Sequence, residues 1–470
     1  MIILINLSKI IVENKMLKKY FSISCFSVKQ KFIALYIMIF LLAFNQLQAV
    51  VLRVGVAKTD ITPTESLYLS GYSIRTEPSK GAYGKIYLTA FAVDDGARRI
   101  VFIESDLIGY PSSDSLRQIV SAASDLPLEN IILGSAHNHS SPILGRRNSN
   151  SIWSKEFSSK LVSTVMKAIN DLEPVTLGGG IGHSYIAMNR RKVMEETDSY
   201  ITFDENYISQ SYGEQKTDHP VLVHEIGGVV RLGANPKGSI DDEVGILRID
   251  RKSGAPKAVF INYAAHGTSL GGRNLMISPE WCGHMVEYVE KQIPGVVAMF
   301  AQGAAGDINP RRVGGLDGFK DDLEKTKELG YEIGKEVIRV FNTVVTKEPL
   351  NPSIKLVNRQ IQCPRTYREL FYDYKQTTIP VSTTAIKIDD YVWVTFPGEL
   401  FHEIGKRIKK STHSKYSYLV GYCNGSVGYF PTQKAFSEGG YEVSASHFDP
   451  ISEHVYVRGV EKLLIELFDQ

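Results

Sequence analysis

The chain of 470 residues is 43% hydrophobic and 22% charged, a balance that provides ample apolar material for a core and excludes a disordered or low-complexity protein. Its 53 basic and 51 acidic residues are interspersed and leave a formal charge of +2, so the sequence carries no electrostatic footprint for nucleic acid or for an anionic membrane. The expected partner is a small or uncharged molecule.

The amino end reads as an address. Lys18, Lys19, Lys29 and Lys31 precede an apolar run over residues 32–44, followed by polar Asn45 and Gln46 and then Leu47-Gln48-Ala49. A run of 13 apolar residues is short of the roughly 20 that a membrane-spanning helix needs and suits the core of a signal peptide. Residues 1–49 are therefore expected to be a signal peptide cleaved after Ala49 or an uncleaved anchor, with Met16 as an alternative start. Either form implies export to the periplasm, the cell surface or the medium. Cys25 falls in the leader, and Cys282, Cys363 and Cys423 form an odd set without CxxC spacing, so no disulfide framework or thiolate metal site is legible.

From Val50 to Gln470 there is no linker, repeat or charge block, which favours one large domain. Buried strands are expected over 99–103, 130–133, 258–263, 296–300, 391–396 and 418–422. Helices are expected over 153–172, 280–292, 323–343 and 400–410, where apolar residues recur at three- and four-residue spacing. Ser278-Pro279 reads as an N-cap with proline at the first helical position, and Pro294-Gly295 as the end of that helix. Residues 195–238 read as a polar surface excursion. The alternation argues for an α/β class, a mixed β-sheet core covered by helices.

Chemistry-bearing residues recur where these apolar runs break. Ile131 to Ser135 leads into Ala136-His137-Asn138-His139-Ser140-Ser141-Pro142, and side-chain alternation allows His137 and His139 to point the same way. The 258–263 strand leads to His266-Gly267-Thr268-Ser269, the 296–300 strand to a small-residue loop with Asp307, the 391–396 strand to Pro397-Gly398-Glu399 at a helix start, and the 418–422 strand to a turn that presents Tyr429. Carboxyl ends of strands are where α/β sheets assemble ligand sites, and two neutral imidazoles with a carboxylate suit Zn²⁺. Singly, each residue has an ordinary structural explanation: a satisfied strand-end histidine, a glutamate at a helix dipole, a packed tyrosine.

In order and spacing, these segments resemble the neutral ceramidase family, zinc-dependent amidases that split ceramide into sphingosine and fatty acid. The resemblance runs from Val54-Gly55-Val56-Ala57-Lys58-Thr59-Asp60-Ile61-Thr62-Pro63, through Gly71-Tyr72 and the histidine block, to Tyr441-Glu442 and Phe448-Asp449-Pro450. It implies that His137, His266, Glu399 and Tyr429 are zinc ligands and that His139, Arg190 and Tyr441 surround the substrate amide, with Asp307 among the catalytic residues. Arg190 lies in Ala187-Met188-Asn189-Arg190, where Arg191-Lys192 replace the family's last two residues, so Arg191 is an alternative to it. Tyr429 is either a ligand or a donor to the oxyanion. A lipid-like substrate leaves peripheral membrane contact open.

The sequence departs from the family where substrate choice would be set. Gly306-Asp307-Ile308-Asn309-Pro310-Arg311 carries an asparagine in place of the family's serine, and Asn309 cannot act as a nucleophile. Ser141, Ile143 and Leu144 replace glycines, Ser278-Pro279-Glu280-Trp281 replaces a Ser-Gly-Asp-Asn segment, and the sequence to Gln470 carries no counterpart of the family's carboxyl-terminal β-sandwich. The leading expectation is an exported zinc amide hydrolase acting on a ceramide-like N-acyl compound. A zinc hydrolase of another amide or ester, and a silent glycan- or lipid-binding relative, are the alternatives.

Overall fold

Local sequence explains the first elements. β1 (Arg53–Asp60), β2 (Tyr87–Asp94) and β3 (Arg99–Ser105) form an antiparallel meander. The β2–β3 turn is closed by aspartates: Asp94 accepts from the Gly96 N–H and Asp95 from those of Ala97 and Arg98, at 2.9, 2.8 and 2.6 Å. α1 (Ser113–Ser124) crosses to β4 (Ile131–Ser135), which is parallel to β3, and α2 (Ile152–Asn170), capped by the Ser151 hydroxyl, returns the chain to β5 (Glu173–His183). β6 (Ala187–Val193) and β7 (Val230–Asn235) follow, then β8 (Glu243–Arg251), β9 (Pro256–Tyr263), α3 (Glu280–Gln292), β10 (Val297–Gln302) and β11 (Ile308–Pro310). The remaining elements are α4 (Phe319–Thr343), β12 (Ile354–Pro364), β13 (Thr378–Ile388), β14 (Tyr391–Thr395), β15 (Glu399–Leu400), α5 (His402–Ser411), β16 (Tyr416–Val420), β17 (Tyr429–Phe430), α6 (Gln433–Glu438), α7 (Tyr441–Ser444) and α8 (Ser452–Asp469). This computed structural model describes residues 51–194, 230–313, 319–366 and 376–470. The leader at 1–49 and most of the expected 195–238 excursion lie outside the described residues.

Two mixed sheets stack. The larger runs β10-β9-β8-β5-β1-β2-β3-β4 and the smaller β12-β13-β14-β16. Their inner faces share one core, where Phe102 and Phe260 of the large sheet meet Trp393 and Tyr418 of the small one, with the Phe102 and Trp393 rings 5.5 Å apart. Helices cover both outer faces: α1 and α2 pack on the β1–β4 end, α3 and α4 on the β8–β10 end, and α5 and α8 on the small sheet. The result is the expected α/β class, with a sheet-on-sheet interior that periodicity did not reveal.

The large sheet curls until β10, at one edge, touches β3 and β4 at the other. Gln302, the last residue of β10, fixes that closure by donating from Nε2 to Ala136 O at 3.1 Å and to Ala265 O at 2.6 Å. Loops that leave opposite edges of the sheet therefore meet. Among the described residues no helix is long and apolar enough to cross a membrane.

Two local expectations shift. α3 begins one residue later than the Ser278-Pro279 reading, because Pro279 is the cap and Glu280 enters at φ 55°, although the Ser278 hydroxyl does accept the Glu280 N–H at 3.1 Å. Glu399 does not open a helix: it pairs with Tyr429 in the parallel ladder of β15 and β17, and α5 starts at His402.

Candidate metal centre

The histidine pair does not use strand alternation. β4 ends at Ser135, and His137 takes a left-handed conformation, φ 54°. The next loop then zips onto the one from β9. Asn138 bridges Gly267 in a parallel pair, and the His139 N–H donates to Gly267 O at 2.9 Å. A Cβ at Gly267 would stand 3.0 Å from both Asn138 Cα and His137 O, so the approach of the two loops requires glycine there. Glu280 clamps the same loops from beneath. Its buried carboxylate accepts from the Ser140 hydroxyl at 2.7 Å and from the Ser269 N–H at 2.8 Å.

The rings of His137, His139 and His266 converge, with a ligand atom from each within 4.8 Å of the others, a set that could hold a metal ion. Glu399 completes the group: its Oε2 lies 3.0 Å from His266 Nε2 and 3.5 Å from His137 Nε2. The tautomers follow from the backbone. His137 Nδ1 meets Ile108 O at 2.9 Å and His266 Nδ1 meets Ile308 O at 3.0 Å; a carbonyl only accepts, so both Nδ1 atoms carry the proton. In neutral rings each Nε2 then points a lone pair at a carboxylate oxygen. Three acceptors turned on one another, with the Arg190 guanidinium reaching His266 Nε2 from one side at 3.1 Å, form a cradle for a cation, and carbonyl-anchored Nδ1 atoms are how metal-binding histidines are oriented. His137 Nε2 and both ring nitrogens of His139 are buried without a hydrogen-bond partner among the described residues.

Electrostatics agree with that reading. Burial, reinforced by the Arg190 charge, pulls His266 down to about 4, and burial beside His137 and His266 holds His139 well below the usual imidazole range. Burial alone would raise Glu399, but the charge and hydrogen bonds that His137 and His266 supply when protonated hold it well below the usual carboxylate range, a part that a cation in the cradle would take over from neutral rings. Burial raises the Tyr429 phenol well above its ordinary value, against the pull of Arg190, so the hydroxyl keeps its proton.

Arg190 is the cation at the site. Its Nη1 is 3.1 Å from His266 Nε2 and donates to Asn309 Oδ1 at 3.2 Å, while Nη2 donates to the Tyr429 hydroxyl at 3.0 Å and to Gly306 O at 2.7 Å. Its Nε is held by Glu442 Oε1 at 2.8 Å, and Glu442 is completely buried. Arg191 turns the other way, to Glu442 Oε2, Glu438 and Gly439 O, so the alternative raised by the sequence is not the one that faces the histidines. Tyr441 sits beside Tyr429 with ring centroids 5.5 Å apart. Asp307 lies apart from the cradle: its two oxygens engage the backbone N–H and the ring of His402, at 2.9 and 2.7 Å.

Sequence reasoning missed Tyr422, Glu442, Glu280 and His402 as members of this neighbourhood. Tyr422 stacks on His137 with centroids 4.0 Å apart and an interplanar angle of 27°, and its buried hydroxyl lacks a partner among the described residues. As the end of the apolar run expected as a strand over 418–422, it carried no polar signal. The glutamates sat at helix starts, where acidic residues need no further explanation.

Fold and site together define a stacked-sheet α/β protein with a histidine-carboxylate cradle at its rim. No family model matches the chain. Among solved structures it is similar to a neutral ceramidase from Pseudomonas aeruginosa, with a TM-score of 0.69 and 17% identity over 90% of this chain and 75% of that one. It is equally similar to a ceramidase described as complexed with C2, with a TM-score of 0.69 and 16% identity over 90% of this chain and 76% of the other. The fold is the one these ceramidases adopt.

Proposed function

We propose that the chain is an exported zinc-dependent hydrolase that cleaves the amide bond of an N-acyl, lipid-like substrate. Residues 50–470 would form its catalytic domain and residues 1–49 its export signal. The observation that carries the reading is the set of inward-facing acceptors, His137 Nε2, His266 Nε2 and Glu399 Oε2, locked by backbone carbonyls behind the imidazoles. The fold likeness to proteins described as ceramidases supplies the substrate class.

The donor set fits zinc: nitrogen and oxygen ligands, with Tyr429 alongside. Bound there, the ion supplies a Lewis acid that activates water near neutral pH. The remaining work falls to the chain. Arg190 and the protonated Tyr429 are donors at one wall of the cradle and would stabilise negative charge growing on the amide oxygen. His139, neutral and without a hydrogen-bond partner among the described residues, would carry the proton that the departing amine needs. Tyr441, against Tyr429, would contact the substrate beside that oxygen.

A second reading, hydrolysis of an ester or another amide, is favoured by Asn309, whose oxygen accepts from Arg190 where the family offers a hydroxyl. The test is metal analysis of wild type and His266→Ala, with turnover of a labelled short-chain ceramide measured beside simple N-acyl amides and esters. The proposal expects bound zinc and amide cleavage in wild type and loss of both in the variant. Retention of metal and turnover by His266→Ala would overturn it, and ester turnover alone would favour the second reading.

A further inference from the structure

Behind the cradle, Asp307 and His402 build a second constellation that the proposed hydrolysis does not use. α5 opens with His402, whose backbone N–H donates to Asp307 Oδ1 at 2.9 Å and whose Nδ1 donates to Oδ2 at 2.7 Å. Both residues are buried, at 2% and 1% exposure. With Nδ1–H engaged, Nε2 presents a lone pair outward, and 2.8 Å away lies the hydroxyl of Ser239, on the exposed segment between β7 and β8. Asn189 ties the parts together, its Nδ2 meeting Ser239 O at 3.2 Å and Asp307 Oδ2 at 3.4 Å. Burial would raise the Asp307 carboxyl and lower the His402 imidazole, but their pairing overrides both: it keeps the carboxylate ionised and raises the imidazole, which makes it a stronger base once it is neutral.

We infer that Ser239, His402 and Asp307 form a serine nucleophile, base and orienter, a second and metal-independent acyl-transfer site for small neutral carboxylic esters. The distances are those in which an imidazole held by a carboxylate deprotonates a hydroxyl. Ser239 Oγ attacks the ester carbonyl as its proton passes to His402 Nε2. The C–O bond to the alcohol then breaks, and the same proton leaves on the alkoxide. Water repeats the sequence on the acyl-serine and releases the acid. Lys406, one turn along α5, donates to Ile240 O at 3.1 Å and brings a positive charge to the residue after the nucleophile. The single proton of the Ser239 hydroxyl has His402 Nε2 at 2.8 Å as its nearer acceptor and Glu403 Oε1 at 3.4 Å as the farther one, and the Glu403 charge disfavours anionic substrates and sets the preference for neutral ones.

The test is covalent. The full chain is treated with a fluorophosphonate, which forms an O–P bond at the nucleophile as fluoride leaves, and the adduct is located by peptide mass mapping. The expected results are labelling of Ser239, its loss in Ser239→Ala, and a drop of about 100-fold in labelling rate in His402→Asn, the size of a lost general base. A zinc chelator leaves labelling intact, and Ser239→Ala leaves amide turnover intact, so this site and the metal reading fail separately. An unlabelled Ser239 in the folded wild type overturns the inference. Should His402→Asn not fold, the wild-type pH profile decides: a labelling rate that falls as the imidazole protonates supports the assignment, and a flat profile overturns it.

Discussion

Glu442 is the point at which a single substitution should separate the architecture of the site from its chemistry. Its carboxylate is completely buried and shared: Oε1 holds Arg190 Nε at 2.8 Å and Oε2 holds Arg191 Nη1 at 3.1 Å. Glu442→Gln keeps the shape and one carbonyl acceptor but removes the negative charge between two buried guanidiniums. Breaking a buried ion pair from one side costs about 3–5 kcal/mol. Here the lower end applies, because Arg190 keeps Gly306 O and Asn309 while Arg191 keeps Glu438 and Gly439 O. We expect a loss of about 3 kcal/mol in chemical denaturation, read from the midpoint at unchanged slope. We also expect turnover to fall by about tenfold to 100-fold, as Arg190 no longer holds its aim at Tyr429, a loss comparable to weakening one transition-state donor. Glu438→Gln is the matched control: Glu438 is 27% exposed and pairs with Arg191 at 3.2 Å and with the exposed Lys434 at 3.3 Å, which puts its expected effect within about 1 kcal/mol. If the two variants unfold at the same midpoint with the same activity, the buried charge does not organise the site and the reasoning fails.

Two further outcomes can be checked with the same assays. Tyr422→Phe removes a buried hydroxyl that lacks a partner among the described residues while keeping the ring stacked on His137, so stability should hold or rise by up to about 1 kcal/mol while activity falls; destabilisation beyond that would show that the hydroxyl is structurally bonded. Burial lifts Asp106 from 3.8 to about 6, against the charge of Lys58, so its contribution is fully present below about pH 4 and is lost as pH rises through about 6. Asp106→Asn should therefore narrow the stability difference between about pH 4 and pH 7 by about 3 kcal/mol in denaturant titrations, and parallel pH curves for variant and wild type would refute the assignment.

The elements legible in the sequence were those buried on both sides. β3, β4, β9 and β10 are continuous apolar runs, and α2, α3, α4 and α5 carry a three- and four-residue apolar period, so pattern alone located them. β5 was not legible, for a physical reason. Its run Gly178-Gly179-Gly180 reads as a loop, yet a Cβ at Gly179 would stand 2.6 Å from the Tyr416 ring and one at Gly180 2.5 Å from Val340. Those glycines let the small sheet and α4 close on opposite faces of the strand. β15 and β17 have two residues each, too few for any period, although their pairing is what sets Glu399 beside Tyr429.

For the site, the sequence carried residue types and not aim. Neighbours on β6 face opposite ways, so nothing local distinguishes Arg190 from Arg191; a register irregularity between Asn189 and Arg191 and the bifurcated Glu442 decide which guanidinium meets the histidines. Asp307 carries the same lesson, since a carboxylate on a strand-end loop could turn to the cradle or to the helix behind it, and the free N–H at the start of α5 draws it to His402. The histidines themselves leave β4, at one edge of the large sheet, and β9, next to β10 at the other, and no spacing in the chain encodes that those ends meet. The curl does, and Gln302 bridging Ala136 and Ala265 is its latch. The cradle is thus a property of sheet closure before it is one of its ligands, and changes along the β10 edge should move His137 against His266 without touching either ring.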